Sequence, residues 1–328
     1  MTAPRTEFAI LGAGAIGSIL GAHLARAGHS VTMLVRERRA AQLRHEGLRI
    51  KGLAEIAIPV QVLTDASQLH SAEVLIVAMK TPGTAAALES LRGCEIDVAF
   101  SIQNGMWKDE ALTNVFGAER VLGCLANTSG ELLPSGEVLF TRNVSIDIGE
   151  LPAGASARVE RIARVIDASG VRATAVPDML SREWTKFIGW AGLMLMSVTT
   201  RATTWRYLTD PDCALVLTRL VREVAALAKA AGVTLTTENT LLPLQGILNG
   251  SEETAVQAVL QAGRDYQRTA PNHRMSSLQD LEAGRPLEIQ ETLGYAVQRA
   301  RQLQQPVPLL DSLYHLAVAI DRTRMKEP

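Results

Sequence analysis

Residues 8–17 read Phe8-Ala9-Ile10-Leu11-Gly12-Ala13-Gly14-Ala15-Ile16-Gly17. The first four form a fully apolar run, the pattern of a strand buried on both faces of a parallel sheet. A glycine turn follows at once. Ser18 to Ala27 is then apolar at helical spacing, closed by Gly28 as a stop signal. Val31 to Val35 is a second short apolar run. Strand, glycine turn, helix and strand in this order decide the fold of the first half. Three glycines in an isolated turn say little. In this setting the first permits the tight turn, the second lets a pyrophosphate approach the backbone, and the third lets helix and strand pack closely. The helix N-terminus adds N–H groups and the positive end of its dipole. Gly12, Gly14, Ala15, Ile16 and Gly17 are therefore expected to hold a dinucleotide.

The end of the second strand selects the dinucleotide. A carboxylate there accepts from the ribose 2′-hydroxyl of NAD, whereas a guanidinium suits a 2′-phosphate. The chain has Arg36, then Glu37, Arg38 and Arg39. Arg36 favours NADP(H), and Arg38 and Arg39 read as a solvated run on the following helix. Farther along, Ile56 to Leu63 reads as one strand, at a sheet edge because of Pro59. Val74 to Ala78 and Asp97 to Ile102 are buried strands that exit into Met79-Lys80-Thr81-Pro82 and Gln103-Asn104-Gly105. Ligands of open α/β sheets lie at such carboxyl ends, which makes Lys80 and Asn104 candidates for the cofactor crevice. Asn-Gly is also a common turn dipeptide, so Asn104 has a plain reading as well. Residues 120–150 read as strands and a hairpin about Pro134-Ser135-Gly136 that complete the sheet, followed by a helix over 158–167 and a last strand over 171–176.

After Pro177-Asp178 the character changes to helix upon helix, giving domains 1–178 and 179–328. Ser181 to Thr200 is the longest uncharged apolar segment of the second half, with Lys186 at its entrance. Such a helix wants burial, and its lysine must lie at the mouth, be paired, or do chemistry. Further helices are expected over 213–231, 253–261, 287–304, with Pro286 at its opening, and 308–322. The whole is α/β in its first half and all-α in its second.

Composition bounds the rest. The chain has 328 residues, 47% hydrophobic and 20% charged, with a formal net charge of −1. No basic surplus argues for nucleic acid and no span of about 18 apolar residues argues for a membrane. Cys94, Cys124 and Cys213 fit neither a zinc site nor a disulfide framework, and no His/Cys/Asp/Glu cluster suggests a metal. No signal peptide is apparent, so a cytoplasmic protein is expected. The apolar helices of the second half leave packing within the chain and packing across a homodimer equally open.

Three pieces taken together resemble one family: the turn Gly12–Gly17 with Arg36, the residues Lys80-Thr81 with Gln103-Asn104-Gly105, and Asn272-His273…Ser276…Leu278-Gln279-Asp280…Gly284-Arg285-Pro286-Leu287-Glu288-Ile289. The last looks like the C-terminal signature of ketopantoate reductases (2-dehydropantoate 2-reductases), and Trp184-Thr185-Lys186-Phe187 resembles their catalytic-lysine segment. The resemblance implies a Rossmann-type NADP-binding domain followed by a helical domain of 6-phosphogluconate-dehydrogenase-like arrangement. It implies NADPH-dependent reduction of a small 2-oxo acid, in pantothenate biosynthesis. Lys186 would donate the proton to the carbonyl oxygen, and Asn104 would position the lysine, the carbonyl or the nicotinamide. Ser276 and Glu288 would hold the substrate, and Lys80 would stand near the nicotinamide. Taken singly, Lys186 also reads as a snorkelling helix-end lysine, Glu288 as a first-turn carboxylate and Ser276 as a helix cap.

One departure bears on specificity. The family usually places asparagines four and eight residues after the lysine, and here Trp190 and Met194 stand there. Residues four apart share a helix face, so Lys186, Trp190 and Met194 line one wall, unless the latter two point into the core. An apolar wall selects by shape where amides would select hydroxyls. Three readings follow: reduction of ketopantoate, reduction of a less polar 2-oxo acid, ketone or imine by a paralogue, and NADP(H) binding without catalysis. The combination of Lys186, Asn104 and Glu288 speaks against the third.

Overall fold

The computed structural model describes residues 5–236 and 240–324. Its contacts divide the chain into two units, residues 1–180 and 181–328. The first runs β1 (Glu7–Leu11), α1 (Ala15–Arg26), β2 (Ser30–Leu34), α2 (Glu37–Glu46), β3 (Leu48–Gly52), β4 (Ile56–Ile58), β5 (Gln61–Leu63), β6 (Ser71–Val77), α3 (Thr84–Glu89), β7 (Glu95–Ser101), α4 (Trp107–Phe116), β8 (Leu122–Leu132), β9 (Val138–Glu150), α5 (Ala157–Ala168) and β10 (Ala173–Ala175). An all-parallel sheet orders its strands β5-β2-β1-β6-β7. Counted within this sheet the order is the Rossmann one, with its switch point between β1 and β6. The ladders continue past the strand ends. The N–H groups of Gly12, Ala78 and Ile102 donate to the carbonyls of Leu34 (2.9 Å), Leu11 (2.9 Å) and Val77 (3.0 Å). Every loop leaving the carboxyl edge is thereby stitched to its neighbour.

Alternation along β1 sends Phe8 and Ile10 into one core cluster and Ala9 and Leu11 into another. The first cluster contains α1, which is apolar around its whole circumference and buried from Gly17 to Leu24. Such a helix needs cover on both sides. A second sheet supplies it, ordered β10-β9-β3-β4 with β8 along the other edge of β9. The hairpin expected over 120–150 is present as β8 and β9, with its turn at Pro134-Ser135-Gly136, but it builds this second sheet rather than completing the first. The cause is the parallel pairing of Ile50 with Val138, a contact too distant in sequence for local pattern to reveal. The single strand expected over 56–63 is likewise two. β4 pairs antiparallel with β3 and β5 pairs parallel with β2, because Pro59 has no N–H to carry a ladder across.

The second unit is reached along α6 (Met179–Thr200), followed by α7 (Thr204–Thr209), α8 (Pro211–Ala230), α9 (Leu244–Asn249), α10 (Glu252–Thr269), α11 (Ser276–Glu282), a π-helical turn (Gln290–Gly294), α12 (Tyr295–Gln302) and α13 (Pro308–Arg324). Its described residues are helix and turn throughout. On α6, Gly192 lets α8 come close, since a Cβ there would lie 2.5 Å from the Leu217 Cδ1. Among the described residues no helix is long and apolar enough to cross a membrane. The long helix expected over 287–304 is shorter. Gly284 (φ +67°) and the Arg285 N–H bonded to the Asp280 carbonyl (2.9 Å) close a turn ahead of Pro286, residues 285–289 are irregular, and α-helical geometry begins only at Tyr295, after the π-helical turn.

One ionisable group enters the layer between the two sheets. His23 of α1 is 2% exposed, edge-on to Phe140 at 5.7 Å, with Nδ1 3.0 Å from the Ser169 carbonyl and Nε2 buried without a partner. Burial lowers its pKa from 6.5; the Ser169 carbonyl opposes this and Arg26 adds to it. A neutral ring donating from Nδ1 to the Ser169 carbonyl leaves only the Nε2 lone pair without a partner, whereas an imidazolium would bury a second N–H with nothing to receive it. The unfolded chain therefore binds a proton that the native state resists. This contribution to stability is complete above pH 6.5 and is lost as the pH falls through the lowered folded value. His23→Leu is expected to flatten the fall of the urea midpoint between about pH 7.5 and about pH 5.5. An unchanged slope would remove His23 as its source.

Candidate active site

The three motif glycines answer three different demands. Gly12 adopts φ +109°, and a Cβ there would lie 2.7 Å from the Met79 backbone nitrogen. A Cβ on Gly17 would lie 2.1 Å from the Gly12 carbonyl oxygen, so α1 and the exit of β1 touch where only glycine fits. Gly14 is different. Its φ is −72°, and a Cβ would meet nothing closer than the Ala78 oxygen at 3.8 Å. No demand of the folded chain requires glycine there, whereas a pyrophosphate lying on the backbone does. Gly14 is also the N-cap of α1, with no side-chain cap and no acidic residue in the first turn. The orphan N–H groups and dipole of that turn are thus available to an anion, next to the half-exposed Ala15 and Ile16. The residues fit a dinucleotide.

Arg36 caps α2 from the end of β2 in extended geometry and is exposed. Its Nη2 lies 3.7 Å from where a Cβ on Gly83 would stand, so the guanidinium leans toward the loop leaving β6. Glu37 is engaged elsewhere, with Arg44 at 3.0 Å. The reading of Arg39 as solvated needs correction. Its guanidinium bonds Gln42 (2.6 Å), the Gly136 carbonyl (3.0 Å) and the Ser18 hydroxyl (3.3 Å), tying α2 to α1 and to the β8–β9 turn. Burial holds its pKa below the usual arginine value. Arg38 is exposed as expected.

Lys80 and Asn104 stand in the loops at the carboxyl ends of β6 and β7, and a residue the sequence gave no role joins those loops. Gln103 is 8% exposed. Its amide donates to the Met79 carbonyl and to the Thr84 hydroxyl, both at 2.8 Å, and accepts from the Ser101 hydroxyl at 3.0 Å. Thr84 in turn donates to the Lys80 carbonyl (3.2 Å). One buried amide fixes both exits and hence the half-buried Asn104, while Gly105 takes the positive φ of +89° that closes the turn. Beyond it, Lys108 and Asp109 form a buried ion pair of 2.6 Å in the first turn of α4. Adjacent charges at a helix start read as solvated in sequence, and nothing local marks this pair.

In the second unit Lys186 is half-buried on α6, Trp190 is 6% exposed and Met194 has no exposure. Phe187 stacks on Trp190 (6.1 Å, 27°) and takes Trp184 edge-on (6.0 Å). One turn past Met194, Ser197 meets Ser277 of α11 at 3.2 Å, both buried, while its neighbour Ser276 is exposed at the start of α11. His273 hydrogen-bonds the Thr204 side chain (2.8 Å) and accepts from its N–H through its own carbonyl (3.0 Å), which anchors the loop leading to Ser276. Asp280, 4% exposed, pairs with Arg285 at 2.7 Å, and Arg324 of α13 donates to the Asp280 and Leu281 carbonyls (3.2 and 2.7 Å). The signature residues Asp280, Gly284 and Arg285 thus close a turn that delivers the half-buried Glu288.

Comparison with known proteins agrees with both halves. The family model described as Ketopantoate reductase PanE/ApbA matches residues 8–153, and that described as Ketopantoate reductase PanE/ApbA C terminal matches residues 178–321. The 2-dehydropantoate 2-reductase of Archaeoglobus fulgidus is 27% identical over 293 residues, 89% of this chain and 90% of the relative. Among solved structures, the PanE/ApbA family ketopantoate reductase from Ralstonia eutropha JMP134 superposes with a TM-score of 0.81 at 24% identity, over 97% of this chain and 99% of that one. A D-mandelate dehydrogenase in ternary complex with NADH and anilino(oxo)acetate shares the fold, with a TM-score of 0.82 at 16% identity over 97% and 99% of the two chains.

The glycines are separable by experiment. Gly14→Ala is expected to change folding stability by no more than about 1 kcal/mol while weakening dinucleotide binding at least ~10-fold by calorimetry. Gly17→Ala is expected to cost about 1–3 kcal/mol of stability, because backbone must move. Unaltered dinucleotide affinity in Gly14→Ala would refute the cradle.

Proposed function

Because the chain belongs to the PanE/ApbA ketopantoate reductase family, we propose that it is an NADPH-dependent reductase that converts a 2-oxo acid to the 2-hydroxy acid, with Lys186 as the proton donor. The observation that carries the cofactor part of this reading is Gly14, which has room for a Cβ yet heads the uncapped N-terminus of α1, where a pyrophosphate needs a bare backbone. Arg36, with Glu37 turned to Arg44, supports the 2′-phosphorylated form of the cofactor. When bound, the reduced nicotinamide supplies the hydride.

The remaining chemistry falls to the chain. Hydride arrival at the carbonyl carbon leaves negative charge on its oxygen, and the Lys186 ammonium meets that charge with a proton. Its helix is apolar, and the half-buried position of the lysine lowers the local dielectric and strengthens the interaction. Asn104, fixed by Gln103, orients the reacting groups. Ser276 and Glu288 hold the polar groups of the substrate. With 2-dehydropantoate the product is pantoate, a step of pantothenate biosynthesis.

A second reading of the substrate rests on one observation. Past Lys186 the face of α6 carries an indole with 6% exposure and a thioether with none, and no amide. Such a wall favours a 2-oxo acid with a bulkier apolar side chain over a hydroxylated one. Comparing kcat/KM for 2-dehydropantoate, 2-oxoisovalerate and phenylpyruvate decides between the two, and strong turnover of 2-dehydropantoate alone would end the second. On the best substrate, Lys186→Ala is expected to lower kcat by ~10²–10⁴ with NADPH affinity retained; an unchanged kcat would remove its role. Arg36→Ala is expected to weaken NADPH at least ~10-fold more than NADH, and equal losses would refute the 2′-phosphate assignment.

A further inference from the structure

The segment that carries Glu288 enters its helix through a widened turn. Gln290 to Gly294 are π-helical, and the Gly294 N–H donates to the carbonyl of Ile289, five residues back, at 2.9 Å. One extra residue in a helical turn rotates everything ahead of it by ~100° relative to α-helical register. The residues just ahead are Leu287 (4% exposed), Glu288 (half-buried) and Ile289 (2% exposed). The wide turn therefore sets which way Glu288 faces while its two neighbours stay in the core.

A π-turn persists only where the surroundings hold it, and here each part has its own restraint. Thr292 has no exposure, and its hydroxyl donates to the carbonyl of Glu288 itself, with the Ile289 carbonyl at 3.4 Å. The Leu287 N–H donates to Asp321 of α13 at 3.3 Å. On the outer side Tyr314 of α13 donates to the Gln290 side chain at 2.7 Å. Gly294 leaves that ring its seat, since a Cβ there would lie 3.2 Å from the Tyr314 hydroxyl oxygen. The peptide flanking Glu288 is thus held at the nitrogen before it and at its own carbonyl. Only one of these restraints, the Thr292 hydroxyl, acts on Glu288 directly and comes from the wide turn.

We infer that Thr292 is a positioning residue: through its hydroxyl it locks the π-turn and so aims the Glu288 carboxylate at the substrate. This rests on the proposed role of Glu288. Thr292→Val keeps the shape and removes the hydroxyl, and Thr292→Ser keeps the hydroxyl. With the better-used of 2-dehydropantoate and phenylpyruvate, Thr292→Val is expected to raise KM at least ~5-fold while NADPH affinity stays at the wild-type value. Thr292→Ser is expected to restore KM. Glu288→Gln is expected to impair the same parameter, and adding Thr292→Val to it is expected to do nothing more. A merely structural threonine would instead give an additive double variant or loss of NADPH binding, and either result overturns the inference. So does a wild-type KM in Thr292→Val beside an impaired Glu288→Gln, which leaves the role of Glu288 standing. A silent Glu288→Gln overturns that role and the inference with it. Should Thr292→Val fail to fold, Tyr314→Phe, which releases the outer side of the same turn, is expected to raise KM in the same direction, and a wild-type KM there overturns the inference.

Discussion

The backbone contact that organises the first unit is that of Gly17 with the Gly12 carbonyl, where a Cβ would stand 2.1 Å from the oxygen. It brings the first turn of α1 against the end of β1 and leaves no room for a side chain to hold them apart. The rest of α1 is then committed to a narrow layer. Gly21 repeats the device one turn on, with Met33 at 2.9 Å and Leu48 at 3.0 Å from the position of its absent Cβ, one from each sheet. A helix clamped on both sides cannot swing, so its N-terminal N–H groups face the switch point between β1 and β6 without rearrangement. Dipoles fixed beforehand cost nothing to orient when an anion arrives, which is why an uncapped terminus is useful here and would be a defect elsewhere.

The chain announces what is local and conceals what is not. Apolar runs such as Phe8–Leu11 and the glycine turn after them needed no partner to be read, because burial on both faces and a positive φ each leave a mark in the sequence itself. The second sheet left no such mark. β3 joins β9 across a long stretch of chain, and the alternation over 120–150 is compatible with either sheet. Pro59 marks an edge in the sequence, yet its stronger consequence, a division between two sheets, depends on β3 and β2 both being at hand. The anchoring of Arg39 is hidden for the same reason. Arg38 and Arg39 both look solvated until the β8–β9 turn brings the Gly136 carbonyl to accept from Arg39.

The candidate site follows the same division. Residues proposed to touch cofactor or substrate, such as Gly14, Arg36 and Lys186, are legible because chemistry constrains their identity. Residues that hold them are not. Gln103, Ser277, Thr292 and Arg324 act by hydrogen bonds to backbone carbonyls or buried hydroxyls, and those bonds exist only once the chain is folded. Glutamine, serine and threonine are common enough that their presence at a strand exit or in a helix means nothing alone. Their effect is nevertheless large, since a buried amide with three good bonds cannot move without exposing unsatisfied groups.

The helix α6 shows how such support shapes specificity. Exposure falls along one face from the half-buried Lys186 through Trp190 at 6% to Met194 at zero, and on the next turn Ser197 reaches Ser277 inside the apolar interior. A hydroxyl pair in that position is costly unless both partners stay in place, so removing one hydroxyl leaves the other buried and unsatisfied. Ser276, adjacent to one partner, and Lys186, three turns from the other, consequently belong to one rigid frame. Within that frame the Trp190 indole stacks on Phe187 at 6.1 Å. Under the second substrate reading, selection by this face is selection by shape, exerted one helical turn from the group proposed to deliver the proton.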